Sequence, residues 1–157
     1  LQTAAEDLYP DLEIAFSVQN SGGIGVRQLS AGPLVAGQIF ELMPFDNELV
    51  LVEMNGFVTN QFIQHMAASG GWPVSKELRY VIRNDKAEEI MIKGEKLELN
   101  RNYIVCLPDY VANGGSDSKM LKDRKQIKSD RLLRDLLLEY AEKIEGPISV
   151  TLDGRVR

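Results

Sequence analysis

The chain has 157 residues, 44% of them hydrophobic and 26% charged, enough for one domain with a real core. Its formal net charge is −5 with both signs interspersed, which argues against a nucleic acid polymer as partner, because that would need a basic face. A small phosphorylated ligand needs only one or two cations and stays open, and no apolar run approaches the roughly 20 residues that would span a bilayer.

Residues 1–9 read as the tail of a helix, with Ala4, Ala5 and Leu8 apolar and Pro10 ending it. Leu12–Val18 alternates apolar and polar positions, the pattern of a strand. Asn20–Gly25 is a glycine-rich turn that exposes main-chain N–H groups. A short helix over 36–43 puts Ile39, Phe40 and Met43 on one face and stops at Pro44. Residues 48–55 form a strand. Asn55-Gly56 separates it from a helix over 57–68, in which Phe57, Phe62, Ile63 and Met66 follow helical spacing, closed by Gly70-Gly71. Strands at 78–82 and 88–92 flank an Asn84-Asp85 turn, and 103–107 is a buried-type strand. The charged run Lys119–Lys128 reads as a solvated face. Ser129-Asp130 caps a helix over 130–144 whose leucines face the core; Gly146-Pro147 breaks it, and 148–156 is a final strand. This irregular order predicts an α+β fold, a single domain with a mixed sheet and packed helices.

Self-contained hydrolytic chemistry is poorly supported. His65 is the only histidine, and it sits mid-helix, where a structural role is expected; metal-dependent hydrolases draw on several ligands. One histidine gives no persuasive Ser-His-Asp set, and no CxxC, HExxH or Walker A motif occurs. Cys106, the single cysteine, lies in an apolar run and reads as a buried small hydrophobe rather than a nucleophile. Trp72, between Gly71 and Pro73, reads as packing. A binding domain fits better. Two segments carry that reading, Leu42-Met43-Pro44-Phe45-Asp46-Asn47 and Leu107-Pro108-Asp109-Tyr110-Val111-Ala112-Asn113-Gly114-Gly115. Each places an aromatic on a turn, and Phe45 and Tyr110 could form the two walls of one slot for a flat ligand.

These segments, taken in order with Asn20-Ser21-Gly22-Gly23-Ile24 and a terminal Asp153-Gly154-Arg155, resemble the C-terminal domain of the 5'-nucleotidase family from about Leu12 to Arg157. The resemblance implies a two-domain enzyme. A metallophosphoesterase domain with two divalent metal ions hydrolyses the phosphate ester, and the C-terminal domain binds the nucleoside part of the substrate. This chain corresponds to the second alone, so no cofactor is expected within it. The expected partners are a nucleoside or nucleoside monophosphate and a catalytic domain in cis or in trans. The resemblance also implies a periplasmic, secreted or cell-surface location. Leu1 is not a natural start residue, and family members begin this domain with a further strand and most of a helix, so a truncated N-terminal edge is expected.

By the same resemblance Phe45 and Tyr110 would sandwich the base, and Asn20 would hydrogen-bond it or hold the turn. Two departures stand out. Gly25 occupies the place of an arginine that meets the phosphate or ribose, with Arg27 two residues later. Ser116, followed by Asp117, stands where an aspartate meets the ribose hydroxyls, and Ser118 replaces an aromatic. Asn113, Ser116 and Asp117 complete the expected substrate-binding set. The departures motivate an alternative, a non-catalytic interaction or regulatory module with altered ligand specificity.

Overall fold

The structure, a computed structural model, describes residues 1–157. Its elements run α1 (Gln2–Leu8), β1 (Ile14–Ser17), α2 (Ala36–Leu42), β2 (Glu48–Asn55), α3 (Gly56–Ala68), β3 (Leu78–Arg83), β4 (Lys86–Ile92), β5 (Glu95–Lys96), β6 (Asn102–Pro108), α4 (Asp109–Ala112), β7 (Gln126–Leu132) and α5 (Leu133–Lys143).

Two sheets form, a four-stranded one of order β1-β6-β2-β7 and a three-stranded one of order β3-β4-β5. The larger is mixed, since β1 runs parallel to β6 while β2 is antiparallel to both β6 and β7. The fold is therefore the α+β arrangement with a mixed sheet that the sequence suggested.

The sequence of β2 explains the layering. Side chains alternate across a strand, so Leu49 and Leu51 face one side and Val50, Val52 and Met54 the other, and all five are buried. The first side packs against Ala5, Met43, Leu133 and Leu136 of the flanking helical segments, together with Ile14 and Cys106. The second packs against Phe62, Ile63 and Met66 of α3 and against Leu78, Tyr80, Ala87 and Ile92 of the smaller sheet. Fully buried side chains such as Phe16 and Phe62 contribute about 1.5–3 kcal/mol each by removal from water. Asn55 caps α3 by accepting the Val58 N–H at 3.0 Å. Asn84 and Asp85 both take positive φ, 50° and 60°, which is the two-residue hairpin turn whose twist suits β3 and β4.

The structure corrects several sequence expectations. Residues 126–132 are not the start of a helix, although Lys128 is exposed, as expected of the charged run. They form the edge strand β7, and α5 begins at Leu133. Ser129 does not cap that helix; its hydroxyl donates to the Leu49 carbonyl at 2.7 Å, beside a register shift at which Asp130 takes φ 54°. Of the leucines expected in the core, Leu133 and Leu136 are buried whereas Leu132 and Leu137 are partly covered. Residues 148–156 do not form a strand. Only the end of the segment pairs, through a parallel bridge of Val156 with Tyr80, while Val150 and Leu152 are exposed. Phe57, placed on the apolar face of the helix, is exposed at its first turn. Trp72 is buried edge-on against Phe62 and His65, with centroids 5.9 and 5.5 Å away.

Candidate functional site

Loops converge at one end of the large sheet. The Asn20–Gly23 turn leaves β1, with Val18 N–H donating to the Cys106 carbonyl and Gln19 N–H to the Pro73 carbonyl, both at 2.9 Å. The Phe45 loop joins α2 to β2, and Tyr110 lies on α4, directly after β6. Two hydrogen bonds tie these loops together. Gly25 N–H donates to the Leu42 carbonyl at 2.9 Å, which fastens the glycine turn to the end of α2. Glu48 N–H donates to the Asp109 carboxylate at 3.0 Å, which fastens the Phe45 loop to the Tyr110 turn.

The result is a cleft of about 240 Å³ lined by Asn20, Gly22, Gly23, Phe45, Asn47, Tyr110 and Ser116. Phe45 is 53% exposed and Tyr110 50%, so neither ring is consumed by the core. No side chain in the lining is charged. The polar groups are mutually held. Asn20, buried, donates through Nδ2 to Ser116 Oγ at 3.1 Å. Ser116 N–H donates to the Tyr110 hydroxyl at 3.3 Å. The Ser116 carbonyl lies 2.8 Å from His65 Nε2; a carbonyl only accepts, so this nitrogen carries the proton. Ser116 and Asp117 both have positive φ, 50° and 58°. Such a conformation is uncommon for residues other than glycine, and at Ser116 these bonds hold it.

Of the expected site residues, the cleft gathers Phe45, Tyr110, Asn20 and Ser116. Arg27 is exposed and outside the lining. Asn113 turns its Oδ1 to Gln126 Nε2 at 2.9 Å, and Asp117 is exposed, 3.9 Å from Lys119 Nζ. At Gly25 a Cβ would collide with the Glu41 carbonyl and lie 2.9 Å from Pro44 Cγ, so a larger residue there requires the backbone to shift. Sequence reasoning did not single out Asn47 as a lining residue, nor Asp109 as the tie between the two loops. A carboxylate directly after Pro108, at the first turn of α4, was the available signal for the latter.

The remaining chemistry is sparse. Cys106 is fully buried, and burial pushes its thiol up to about 12, far from a reactive thiolate. No three His, Cys, Asp or Glu side chains cluster in a way that could hold a metal ion. No helix is long and apolar enough to cross a membrane.

The fold is a small α+β domain whose loops leave a cleft lined by two half-exposed aromatic rings and a buried amide. Residues 3–123 match the family described as 5'-nucleotidase, C-terminal domain, and the chain belongs to that family. Among related proteins, a 5'-nucleotidase of Vibrio cholerae is 25% identical over 140 residues, covering 86% of this chain and 25% of the relative. Protein UshA of Escherichia coli is 23% identical over 142 residues, covering 87% and 26%. The chain thus spans about a quarter of the length of these relatives. Among solved structures, a 5'-nucleotidase precursor from Thermus thermophilus superposes with TM-score 0.83 at 21% identity, over 98% of this chain and 33% of the other. The sulfate thiohydrolase SoxB of the same genus superposes with TM-score 0.69 at 19% identity, over 99% and 30%. These structural likenesses speak for the fold.

Proposed function

We propose that this chain is the nucleoside- or nucleotide-binding domain of a 5'-nucleotidase-type phosphohydrolase, and that it stacks the base between Phe45 and Tyr110. The observation that carries this reading is that two half-exposed aromatic rings line one small cleft together with Asn20 and Ser116. Stacking on an aromatic face contributes about 1–3 kcal/mol per base and tolerates different bases. The chain supplies no cluster able to hold two metal ions. Phosphate ester hydrolysis on this reading belongs to a separate dimetal domain, in the same chain or another, and the assembly acts outside the cytoplasm.

Titration with adenosine and AMP tests the reading. Binding should perturb Phe45 and Tyr110 resonances, and Phe45→Ala or Tyr110→Ala should weaken it by about 1–3 kcal/mol while leaving the fold intact. No binding up to millimolar ligand would overturn it. The isolated chain should leave AMP unhydrolysed in the presence of divalent metal ions.

A second reading, an interaction or regulatory module with altered specificity, draws on Gly25 and Ser116. Neither can offer a charge to the ligand, and the cleft lining has none. Binding of a protein partner combined with indifference to every nucleoside and nucleotide would favour it.

A further inference from the structure

The hydrogen bonds behind the cleft form a chain whose direction is set at its buried end. Gln19 is buried, and its Nε2 approaches the main-chain carbonyl of Asn20 at 3.4 Å and the Asn20 Oδ1 at 3.2 Å. A main-chain carbonyl can only accept, so the amide end of Gln19 that meets it must be the NH2 group. The same NH2 then donates to Asn20 Oδ1, which turns the Asn20 NH2 toward Ser116. Ser116 Oγ consequently accepts from Asn20, and its own O–H proton has no acceptor in the protein. The orientation has a cost, since Gln19 Oε1 is left buried without a partner.

We infer that Gln19, through Asn20, fixes Ser116 as a hydrogen-bond donor to the cleft, so that the ligand must present an acceptor, such as a carbonyl oxygen, ring nitrogen or sugar oxygen, at the Ser116 edge. Gln19 is the positioning residue in this relay, and Ser116 determines specificity. The inference rests on the reading of the cleft as the nucleoside site. Without Gln19 the Asn20 amide is free to turn over. Its Oδ1 then captures the Ser116 proton, and the ligand meets only lone pairs. The donor lies in an uncharged lining, so the selection is by hydrogen-bond polarity rather than by charge.

A double-mutant cycle with adenosine as the probe, read by calorimetry, tests the relay. Ser116→Ala should weaken binding by about three- to tenfold, the worth of one hydrogen bond to a ligand. Gln19→Met, which keeps the volume and removes the amide, should weaken it by about threefold in the wild-type background. In the Ser116→Ala background it should change nothing. A merely structural role for Gln19 would make the two losses multiply, and that result would overturn the relay. Circular dichroism and melting temperature confirm that each variant is folded.

The relay also has a ligand-free readout. In the free protein, nuclear Overhauser contacts should join the Asn20 side-chain NH2 to the Ser116 β-protons, and they should weaken in Gln19→Met. Absence of these contacts in the wild type overturns the relay whatever binds. Their presence together with no adenosine or AMP binding up to millimolar concentrations overturns the nucleoside reading and the ligand selection with it, and leaves the Gln19–Asn20–Ser116 hydrogen-bond direction standing as a structural fact.

Discussion

The main-chain N–H of Ser116 donates to the hydroxyl of Tyr110 at 3.3 Å, and between the two residues Gly115 returns its own N–H to the Tyr110 carbonyl at 2.9 Å. The turn therefore folds back over the ring it carries. A Cβ on Gly115 would lie 2.5 Å from Tyr110 Cε1 and from Cζ, closer than any real contact.

Gly115→Ala should consequently displace the Tyr110 ring and cost about 1–3 kcal/mol of stability, the usual range for overpacking. A thermal melt and an adenosine titration check this. Unchanged melting temperature with unchanged affinity would show that the turn has slack the geometry denies.

Arg134 of α5 should influence the cleft without touching it. Its guanidinium sits 4.7 Å over the Phe40 ring, donates to Asp46 at 2.6 Å and reaches the Met43 carbonyl at 3.5 Å, so it clasps both sides of Phe45 in the chain. Arg134→Ala should loosen that loop and reduce nucleoside affinity by about 0.5–1 kcal/mol, the size of a partly exposed cation–ring contact. Arg134→Lys should restore little, since an ammonium cannot serve ring, carboxylate and carbonyl at once. Arg131→Ala, which breaks a pair with Glu139 instead, should leave affinity unchanged.

Cys106 gives a pH signature. Burial raises the thiol from 9.0 to about 12 in the folded chain. The folded state therefore retains its proton where the unfolded chain has lost it, and stability present below pH 9 should fall as pH rises through 9 toward about 12. Cys106→Ser or Cys106→Ala should flatten that portion of a denaturation series. In the native protein at pH 8 the thiol should resist alkylation, and prompt modification would contradict the burial.

The C-terminal residues close an open sheet edge. Tyr80 N–H donates to the Arg155 carbonyl at 2.9 Å, Ile82 N–H to the Arg157 carbonyl at 2.6 Å, and Arg157 N–H to the Tyr80 carbonyl at 3.3 Å. Arg155 is itself anchored on the Val74 carbonyl at 3.0 Å and on Asp153 Oδ1 at 2.8 Å. Arg155→Ala should speed hydrogen exchange at the Tyr80 and Ile82 amides while leaving β2 and β6 protected. Equal exchange in both proteins would mean that the backbone bonds hold the tail alone.

The alternation in β2 and the Asn84-Asp85 turn are legible in sequence because each depends on a local rule, side-chain period in one and positive φ in the other. β7 is not, because an edge strand with one solvated face needs few apolar residues, and Gln126–Arg131 has Ile127 alone, itself 40% exposed. Residues 148–152 mislead in the opposite way. Ile148, Val150 and Leu152 alternate as a strand does, yet no neighbouring strand pairs with them, and alternation cannot supply a partner. In the cleft, Phe45, Tyr110, Asn20 and Ser116 could be picked from turn chemistry and resemblance. The direction of the Asn113 amide toward Gln126 depends on where β7 lies, a tertiary fact that local sequence does not carry.

Trp72, the only tryptophan, stands edge-on to His65, whose ring holds the Ser116 carbonyl. A disturbance at the cleft rim therefore has one rigid side chain to cross before it reaches the indole. The molecule carries its own optical gauge. Intrinsic emission should report occupancy of the cleft with no attached dye, and His65→Gln should make the same fluorophore blind to it.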